Sequence, residues 1–157
     1  AERQALVRMR DEMALTNVMM LDQQPKSRMR DLWALSDISL VLLKKSDLFK
    51  TVIPSKIFES LAMAKPIILG VEGESADLLR AAKAGICIEP EQVEDLVVRV
   101  VELSQNPERC QQMGRNGRRY VMEHFDRIVL ARKLAFVLET VGKRTVLEAE
   151  EVSASAR

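Results

Sequence analysis

The sequence predicts an α/β fold built on a doubly wound parallel sheet, and the order of its apolar segments supports that class. Short apolar segments alternate along the chain with longer segments whose apolar residues recur at helical spacing. Strict alternation of this kind is typical of parallel sheets covered by helices on both faces. The 157 residues, 47% hydrophobic and 30% charged, suit a soluble domain with one core.

Each element follows from its local pattern. Buried strands are predicted at residues 18–21, 38–43, 66–70 and 86–88. Helices are predicted at residues 2–15, 27–35, 54–63, 76–84, 91–104, 107–122 and 127–141. The strand at 38–43 is apolar on both faces, which indicates a central position in the sheet. Gly142 is expected to end the last helix, giving a domain at 1–142 and a polar tail at 143–157.

Charge and hydropathy exclude several classes of function. Lys+Arg 24 against Asp+Glu 23 leaves a formal charge of +1, which gives no electrostatic argument for nucleic acid. No apolar run approaches the roughly 20 residues of a spanning helix, and the N-terminal segment lacks a signal-peptide pattern, so we expect the cytoplasm. The helical cluster of Arg115, Arg118 and Arg119 is either a solvated face or a peripheral contact with anionic lipid at the inner membrane face.

The start of the helix at 54–63 is the strongest candidate for ligand binding. Ligands of such sheets bind beyond the carboxyl ends of the strands, at helix N-termini. Ser55 and Lys56 follow Pro54, and their amides lack intrahelical acceptors at the positive end of the helix dipole. Lys56 adds a charge that disfavours the helix unless an anion is present. The alternative for Lys56 is a solvated surface lysine.

Glu59 lies one turn further along the same, otherwise apolar helix. A carboxylate at this position can accept hydrogen bonds from both hydroxyl groups of a ribose. The alternative is a surface glutamate that pairs with Lys56 or Lys65.

A family resemblance bears on these alternatives. The segment PSKIFESLAMAKPIIL, followed by GVEGE, resembles the donor-site region of the family 4 (group 1) glycosyltransferases, which have the GT-B fold. It is most similar to the bacterial branch that adds amino-deoxy sugars to envelope polysaccharides. Further similar segments occur in the expected order at residues 17–21, 32–43, 84–90, 106–108, 113–120 and 124–125.

The resemblance implies a Rossmann-like, C-terminal half of a GT-B enzyme that binds a nucleoside-diphosphate sugar, in particular a UDP-sugar, for retaining transfer. Glu59 matches the ribose-binding glutamate, and Ser55 and Lys56 match the diphosphate site. The donor-sugar loop is assigned to Thr51, Glu72, Gly73 and Glu74, and the edge that meets the base to Leu21, Gln23 and Gln24. No catalytic nucleophile or base is evident, and no metal or cofactor is implied.

The sequence departs from the family pattern at two places. The family's first glutamate falls at Thr51, so either this branch handles the sugar differently or the loop at 44–50 supplies the group. The family's C-terminal domain normally begins with a strand and a basic loop, whereas this sequence begins in the helix that follows them. We therefore expect the first strand and the N-terminal acceptor domain to be missing, and this chain alone to be inactive.

Two other functions remain as alternatives. A GT-B-like nucleotide-sugar epimerase would share the ribose-binding carboxylate, but it needs further acids and histidines, and the chain has His 1. The other alternative is a non-catalytic α/β interaction or receiver-like module, and a receiver domain would need acidic residues clustered at strand ends. Asp22 and Asp37 do not form such a cluster.

Overall fold

The computed structural model describes residues 2–155, with side chains described as far as residue 141. The elements, in chain order, are α1 (Arg3–Glu12), α2 (Lys26–Leu35), β1 (Ser39–Leu42), a short 3₁₀ helix (Asp47–Thr51), α3 (Ser55–Ala62), β2 (Ile67–Gly70), α4 (Glu74–Ala82), β3 (Gly85–Cys87), α5 (Val93–Ser104), α6 (Pro107–Phe125) and α7 (Arg127–Ser155). Contacts divide the chain into two compact units, residues 1–32 and residues 33–157.

The second unit contains a three-stranded parallel sheet in the order β1-β2-β3. Ser39 pairs with Ile67 on one side of β2, and Ile67 pairs with Gly85 on the other. The predicted α/β class with a parallel sheet is confirmed, and so are three of its predicted strands. Each of the three strands is one or two residues shorter than predicted, or shifted by one residue.

The central strand β2 is covered on both faces, and its side chains alternate between two cores. Ile67 and Leu69 pack in the core that includes residues of α3 and α4, and both are fully buried. Ile68, also fully buried, packs on the opposite face with Leu103 of α5. Full burial of one such side chain stabilises the fold by about 1.5–3 kcal/mol. The two-sided burial explains why β2 reads as a continuous apolar run.

The strand predicted at residues 18–21 is wrong. This segment has no strand partner among the described residues, and Met19 is 82% exposed. It lies in the unit at 1–32, in which no described residue is buried. A short apolar run alone cannot separate a buried strand from an irregular segment.

The predicted central position of the strand at 38–43 is also wrong, because β1 is an edge strand in the part of the chain that the structure describes. Val41 is buried against α3 and the core around it, but Leu40 and Leu42 on the opposite face are 48% and 45% exposed. Its pattern is apolar on both faces, although α5 packs mainly over β2.

Several helix boundaries differ from the prediction. The predicted end of the last helix at Gly142 is wrong, since α7 continues to Ser155; a single helical glycine costs only about 1 kcal/mol relative to alanine. Within the predicted tail at 143–157, residues 156–157 lie outside the described residues. α4 ends at Ala82 with Lys83 in the left-handed conformation, so Gly85 does not terminate it and instead begins β3.

The packing of α6 on α3 depends on a glycine. Gly114 is buried at the point where α6 meets the turn after α3, and a Cβ atom there would overlap the carbonyl oxygen of Ala64. That oxygen belongs to the backbone, so it cannot rotate away as a side chain would. The close approach therefore requires glycine at this position.

We predict that Gly114→Ala destabilises the protein, although alanine is the better helix former. Overpacking of this kind lowers the free energy of unfolding by about 1–3 kcal/mol, measurable by urea denaturation. The control Gln111→Ala, on an exposed position of the same helix, should stay within about 0.5 kcal/mol of the parent. A Gly114→Ala protein as stable as the parent would show that α6 does not need this close approach.

Candidate functional site

The carboxyl edge of the sheet gathers the polar turns of the second unit. The three strands are parallel, so the turns that follow Leu42, Gly70 and Cys87 all lie at this edge. Beyond these turns begin the helices α3, α4 and α5, which follow β1, β2 and β3 respectively. This edge is where ligands of open α/β sheets bind.

The N-terminus of α3 has amides without acceptors. Pro54 is extended, with φ −60° and ψ 134°, so it caps the helix and Ser55 is the first helical residue, one position later than predicted. The Ile57 amide donates to the Pro54 carbonyl at 3.0 Å, whereas the amides of Ser55 and Lys56 have no backbone acceptor within residues 2–155. Both amides are therefore available to an anion.

The first turn of α3 also lacks an acidic side chain. α4 has Glu74 and Asp77 in its first turn, and α5 has Glu94 and Asp95. Carboxylates at a helix N-terminus offset the positive end of the helix dipole. α3 carries Lys56 there instead, so its positive end is the uncompensated one of these three.

A buried hydroxyl pair fixes α3 on the sheet. Ser60 is fully buried, and its Oγ lies 2.8 Å from Oγ of Ser39 on β1 and 2.7 Å from the Lys56 carbonyl oxygen. Each hydroxyl has one proton, so Ser60 donates to Lys56 and Ser39 donates to Ser60. Helix α3 is thus tied to β1 through Ser60.

Glu59 and Lys56 are exposed, and neither forms an ion pair in the described part of the chain. The alternative partner, Lys65, donates from Nζ to the Ala34 carbonyl at 3.2 Å. The structure therefore does not contain the Glu59 pairing with Lys56 or Lys65 that spacing alone would allow. Both charged groups are free to meet a ligand.

Other charged groups at this edge are paired. Lys45 Nζ, after β1, lies 2.6 Å from Glu89 Oε1, after β3, and its backbone amide donates to Glu91 Oε1 at 3.4 Å. The hydrogen bond and charge of Lys45 lower the pKa of Glu89, and those of Glu89 raise the pKa of Lys45. The pair joins the turns that follow the two outer strands of the sheet, β1 and β3.

A second set of charges joins the 3₁₀ helix to the start of α4. Lys50 Nζ lies 2.7 Å from Asp47 Oδ1 and 3.6 Å from Glu72 Oε2. The hydrogen bond and charge of Asp47, followed by the charge of Glu72, raise the pKa of Lys50. Gly73 caps α4 with φ 72°, and a Cβ atom there would overlap the Lys50 carbonyl oxygen.

The structure places the residues predicted for the donor sugar close to one another in the second unit. Thr51 ends the 3₁₀ helix, and its exposed hydroxyl lies 3.5 Å from the Leu48 carbonyl. Glu72 and Gly73 both contact Lys50, the residue before Thr51, and Glu74 is the first residue of α4.

The residues predicted for the base edge, Leu21, Gln23 and Gln24, lie in the unit at 1–32. Leu21 is 50% exposed. Gln24 Nε2 donates to the Asp22 carbonyl at 2.9 Å, within that unit. Their assignment to the base stays a prediction.

The sequence analysis did not predict that Lys45, Glu89 and Glu91 form one cluster of charged residues. A usable signal was present, since all three follow strands that were correctly predicted, and parallel strands end at the same edge. The pairing itself joins residues 44 positions apart, which no local pattern reveals. Across the described side chains, no group of three or more His, Cys, Asp or Glu could hold a metal ion.

Comparison with known proteins identifies the family. The sequence profile described as Glycosyl transferases group 1 matches residues 1–120. The chain belongs to this family. No helix within the described part of this group 1 glycosyltransferase is long and apolar enough to cross a membrane. No curated protein matches its sequence.

The fold also matches solved structures, 16 chains in all. One is a sucrose-phosphate synthase from Thermosynechococcus elongatus, with 16% sequence identity and a TM-score of 0.71. The match covers 91% of the present chain and 35% of the synthase, so the group 1 glycosyltransferase chain spans about a third of this neighbour's length. At this identity the likeness supports the fold alone.

We predict that Lys45→Met raises the pKa of the Glu89 carboxyl group, because the hydrogen bond and charge that lower it are lost. In the parent protein the lowered pKa means that the pair stabilises the fold above the unfolded-state pKa of Glu89. That contribution is lost as the pH falls through the folded-state pKa. Carbon-13 NMR titration of the Glu89 carboxyl at low salt measures the change.

The matched control is Lys45→Arg, which keeps the positive charge and should keep the Glu89 pKa low. If the pKa of Glu89 is the same in the parent and in Lys45→Met, the contact does not persist in solution.

Proposed function

We propose that this chain is the donor-binding part of a retaining glycosyltransferase and that it binds a nucleoside-diphosphate sugar, specifically a UDP-sugar. The proposal rests on one observation: the uncompensated N-terminus of α3, with unpaired Lys56 and Glu59, lies at the carboxyl edge of the sheet in a group 1 glycosyltransferase.

The diphosphate binds at the N-terminus of α3. The amides of Ser55 and Lys56 donate to phosphate oxygens, and the Lys56 ammonium adds a full positive charge. Lys56 is unpaired, so no ion pair has to break before the phosphates bind.

Glu59 holds the ribose. It lies four residues after Ser55, which corresponds to a rise of about 6 Å along the helix. That separation suits a ribose joined to a diphosphate at the helix start. The free carboxylate accepts hydrogen bonds from both ribose hydroxyls.

The remaining parts of the donor are assigned to residues outside α3. Leu21, Gln23 and Gln24 contact the uracil base in this proposal, and the donor-sugar loop with Glu72 faces the sugar. The support for these assignments is the resemblance to the family's donor-site region. The chemical contribution of this chain is electrostatic, because the α3 amides and Lys56 stabilise the departing diphosphate.

The biological setting follows from the same resemblance. We propose transfer of an amino-deoxy sugar during synthesis of an envelope polysaccharide, in the cytoplasm at the inner face of the membrane. Arg115, Arg118 and Arg119 are all exposed on α6, which supports a peripheral contact with anionic lipid. The acceptor is bound by a separate N-terminal domain.

The 157-residue chain alone should therefore show no glycosyl transfer from UDP-sugars, because acceptor binding needs residues outside it. A radiolabelled-donor assay with mixed glycan and lipid-linked acceptors tests this. Turnover by the purified chain would contradict the division of the enzyme into two halves.

We predict that Glu59→Ala weakens UDP binding at least about tenfold while the fold survives. The change removes two charge-assisted hydrogen bonds, each contributing on the order of 1.5–3 kcal/mol. Amide chemical shifts followed by NMR during UDP titration give both the affinity and the location of the site. The control is Glu123→Ala, which removes an exposed carboxylate on α6 and should bind as the parent does.

In the same titrations, Lys56→Ala should weaken UDP binding more than uridine binding, and added salt should reduce that difference. Shift changes that cluster away from residues 53–59 would place the nucleotide elsewhere. If Glu59→Ala binds UDP as tightly as the parent does, Glu59 is not part of the site.

A further inference from the structure

We propose that α7 binds along an anionic lipid surface, with an apolar stripe on the first half of this helix inserted among the lipids. The apolar stripe is the set of side chains Leu130, Leu134, Val137 and Leu138. The inference deepens the membrane setting of the proposed function and rests on that part of it. It makes no use of the nucleotide site at α3.

The apolar stripe is a continuous strip of exposed side chains. Every residue from 130 to 141 is exposed, and the four residues of the stripe are 44% to 62% exposed. At 3.6 residues per turn, the four side chains fall within about 100° of the helix circumference. Phe136, which is 70% exposed, lies nearly opposite them. A large contiguous apolar patch of this kind marks a surface that contacts another apolar phase.

Basic side chains border the apolar stripe. Arg127 precedes Leu130 by one turn, and Lys133 lies beside the stripe on the helix surface. Both are exposed, and neither forms an ion pair among the side chains that the structure describes. Their long aliphatic stems allow the charged ends to reach headgroups while the stripe lies deeper.

The charge of this region complements an anionic surface. Between residues 127 and 141 the basic residues are Arg127, Arg132 and Lys133, and the one acidic residue is Glu139. The preceding helix α6 contacts α7 and adds the exposed residues Arg115, Arg118 and Arg119. Apolar side chains combined with an excess of Lys and Arg are what an interfacial helix needs to bind anionic lipids.

The spacing of the stripe favours a lipid surface over a second helix. A stable helix pair needs apolar residues at alternating spacings of four and three over about three to four heptads. In α7 this spacing holds from Leu130 to Val141, and its next two positions are Arg144 and Glu148. The apolar seam is therefore shorter than two heptads. A lipid surface requires no repeat of this length.

The experiment is co-sedimentation of the chain with vesicles of phosphatidylglycerol and phosphatidylcholine in equal parts, at about 0.1 M salt. The double variant Leu134→Ser/Val137→Ser should weaken vesicle binding at least about tenfold, because it places two hydroxyl groups in the apolar stripe. Both side chains are exposed, so neither substitution opens a cavity in the core. The matched control is Phe136→Ser, on the opposite side of α7, which should bind within about twofold of the parent.

A second comparison tests the charges. Lys133→Gln should weaken binding to the anionic vesicles several-fold, and vesicles of phosphatidylcholine alone should bind the parent much more weakly. UDP titration of the same variants should give the affinity of the parent, because none of the substitutions lies near residues 53–59. A loss of UDP binding in the parent itself would contradict the donor site and leave the lipid result standing.

Three results would overturn the inference. In the first, the stripe variant binds vesicles as the parent does, or no more weakly than Phe136→Ser. If Arg115→Gln/Arg118→Gln/Arg119→Gln then fails to bind, α6 alone makes the lipid contact and the proposed membrane setting stands. In the second, the parent does not bind the anionic vesicles, and the membrane setting fails as well. In the third, the parent is a dimer in sedimentation equilibrium and the stripe variant is a monomer, so that the stripe joins two copies.

Discussion

The arrangement of the site depends on the parallel pairing of β2 with both of its neighbours. β2 is buried on both faces and hydrogen-bonds on both sides, so its register fixes where β1 and β3 end. Since all three strands point the same way, their polar turns lie at one edge. Lys45 after β1 and Glu89 after β3 meet there for this reason. The charged side chains of these turns lie close together because the strands that precede them are parallel.

The position of α3 depends on both sides of that helix. On the sheet side, Ser60 is hydrogen-bonded to Ser39 of β1. On the opposite side, Gly114 allows α6 to approach the turn after α3. A helix held on both sides presents its free amides in a fixed direction, so an anion meets donors that need no rearrangement. Packing far from the ligand thereby contributes to the geometry of the site.

The sequence was sufficient for the features that depend on local pattern. The runs at β1, β2 and β3 are apolar and bounded by polar turns, and the cap residue Pro54 marks the start of α3 within one residue. The segment at 18–21 has the same local pattern without a strand partner, so the same rule failed there. The edge position of β1 is a property of its neighbours and is not visible in its own residues.

The candidate site was predictable to a similar degree. The unpaired amides at Ser55 and Lys56 follow from the geometry of any helix start, and the exposure of Glu59 follows from its place on an amphipathic helix. The absence of an ion pair at Glu59 could not be predicted, because it depends on Lys65 reaching the Ala34 carbonyl instead. The contact between Lys50 and Glu72 depends on the fold in the same way.

The charged groups at the edge differ in what a ligand must displace. An anion that approaches Lys45 competes with Glu89, since that lysine already has a carboxylate at 2.6 Å. An anion that approaches Lys56 meets no competing carboxylate in the described residues, and the helix dipole adds to the attraction. Leaving an exposed lysine without an ion-pair partner costs the fold little stability, because solvent already screens its charge. The free lysine is therefore the better phosphate ligand, and the paired lysine is better suited to fixing the turns around it.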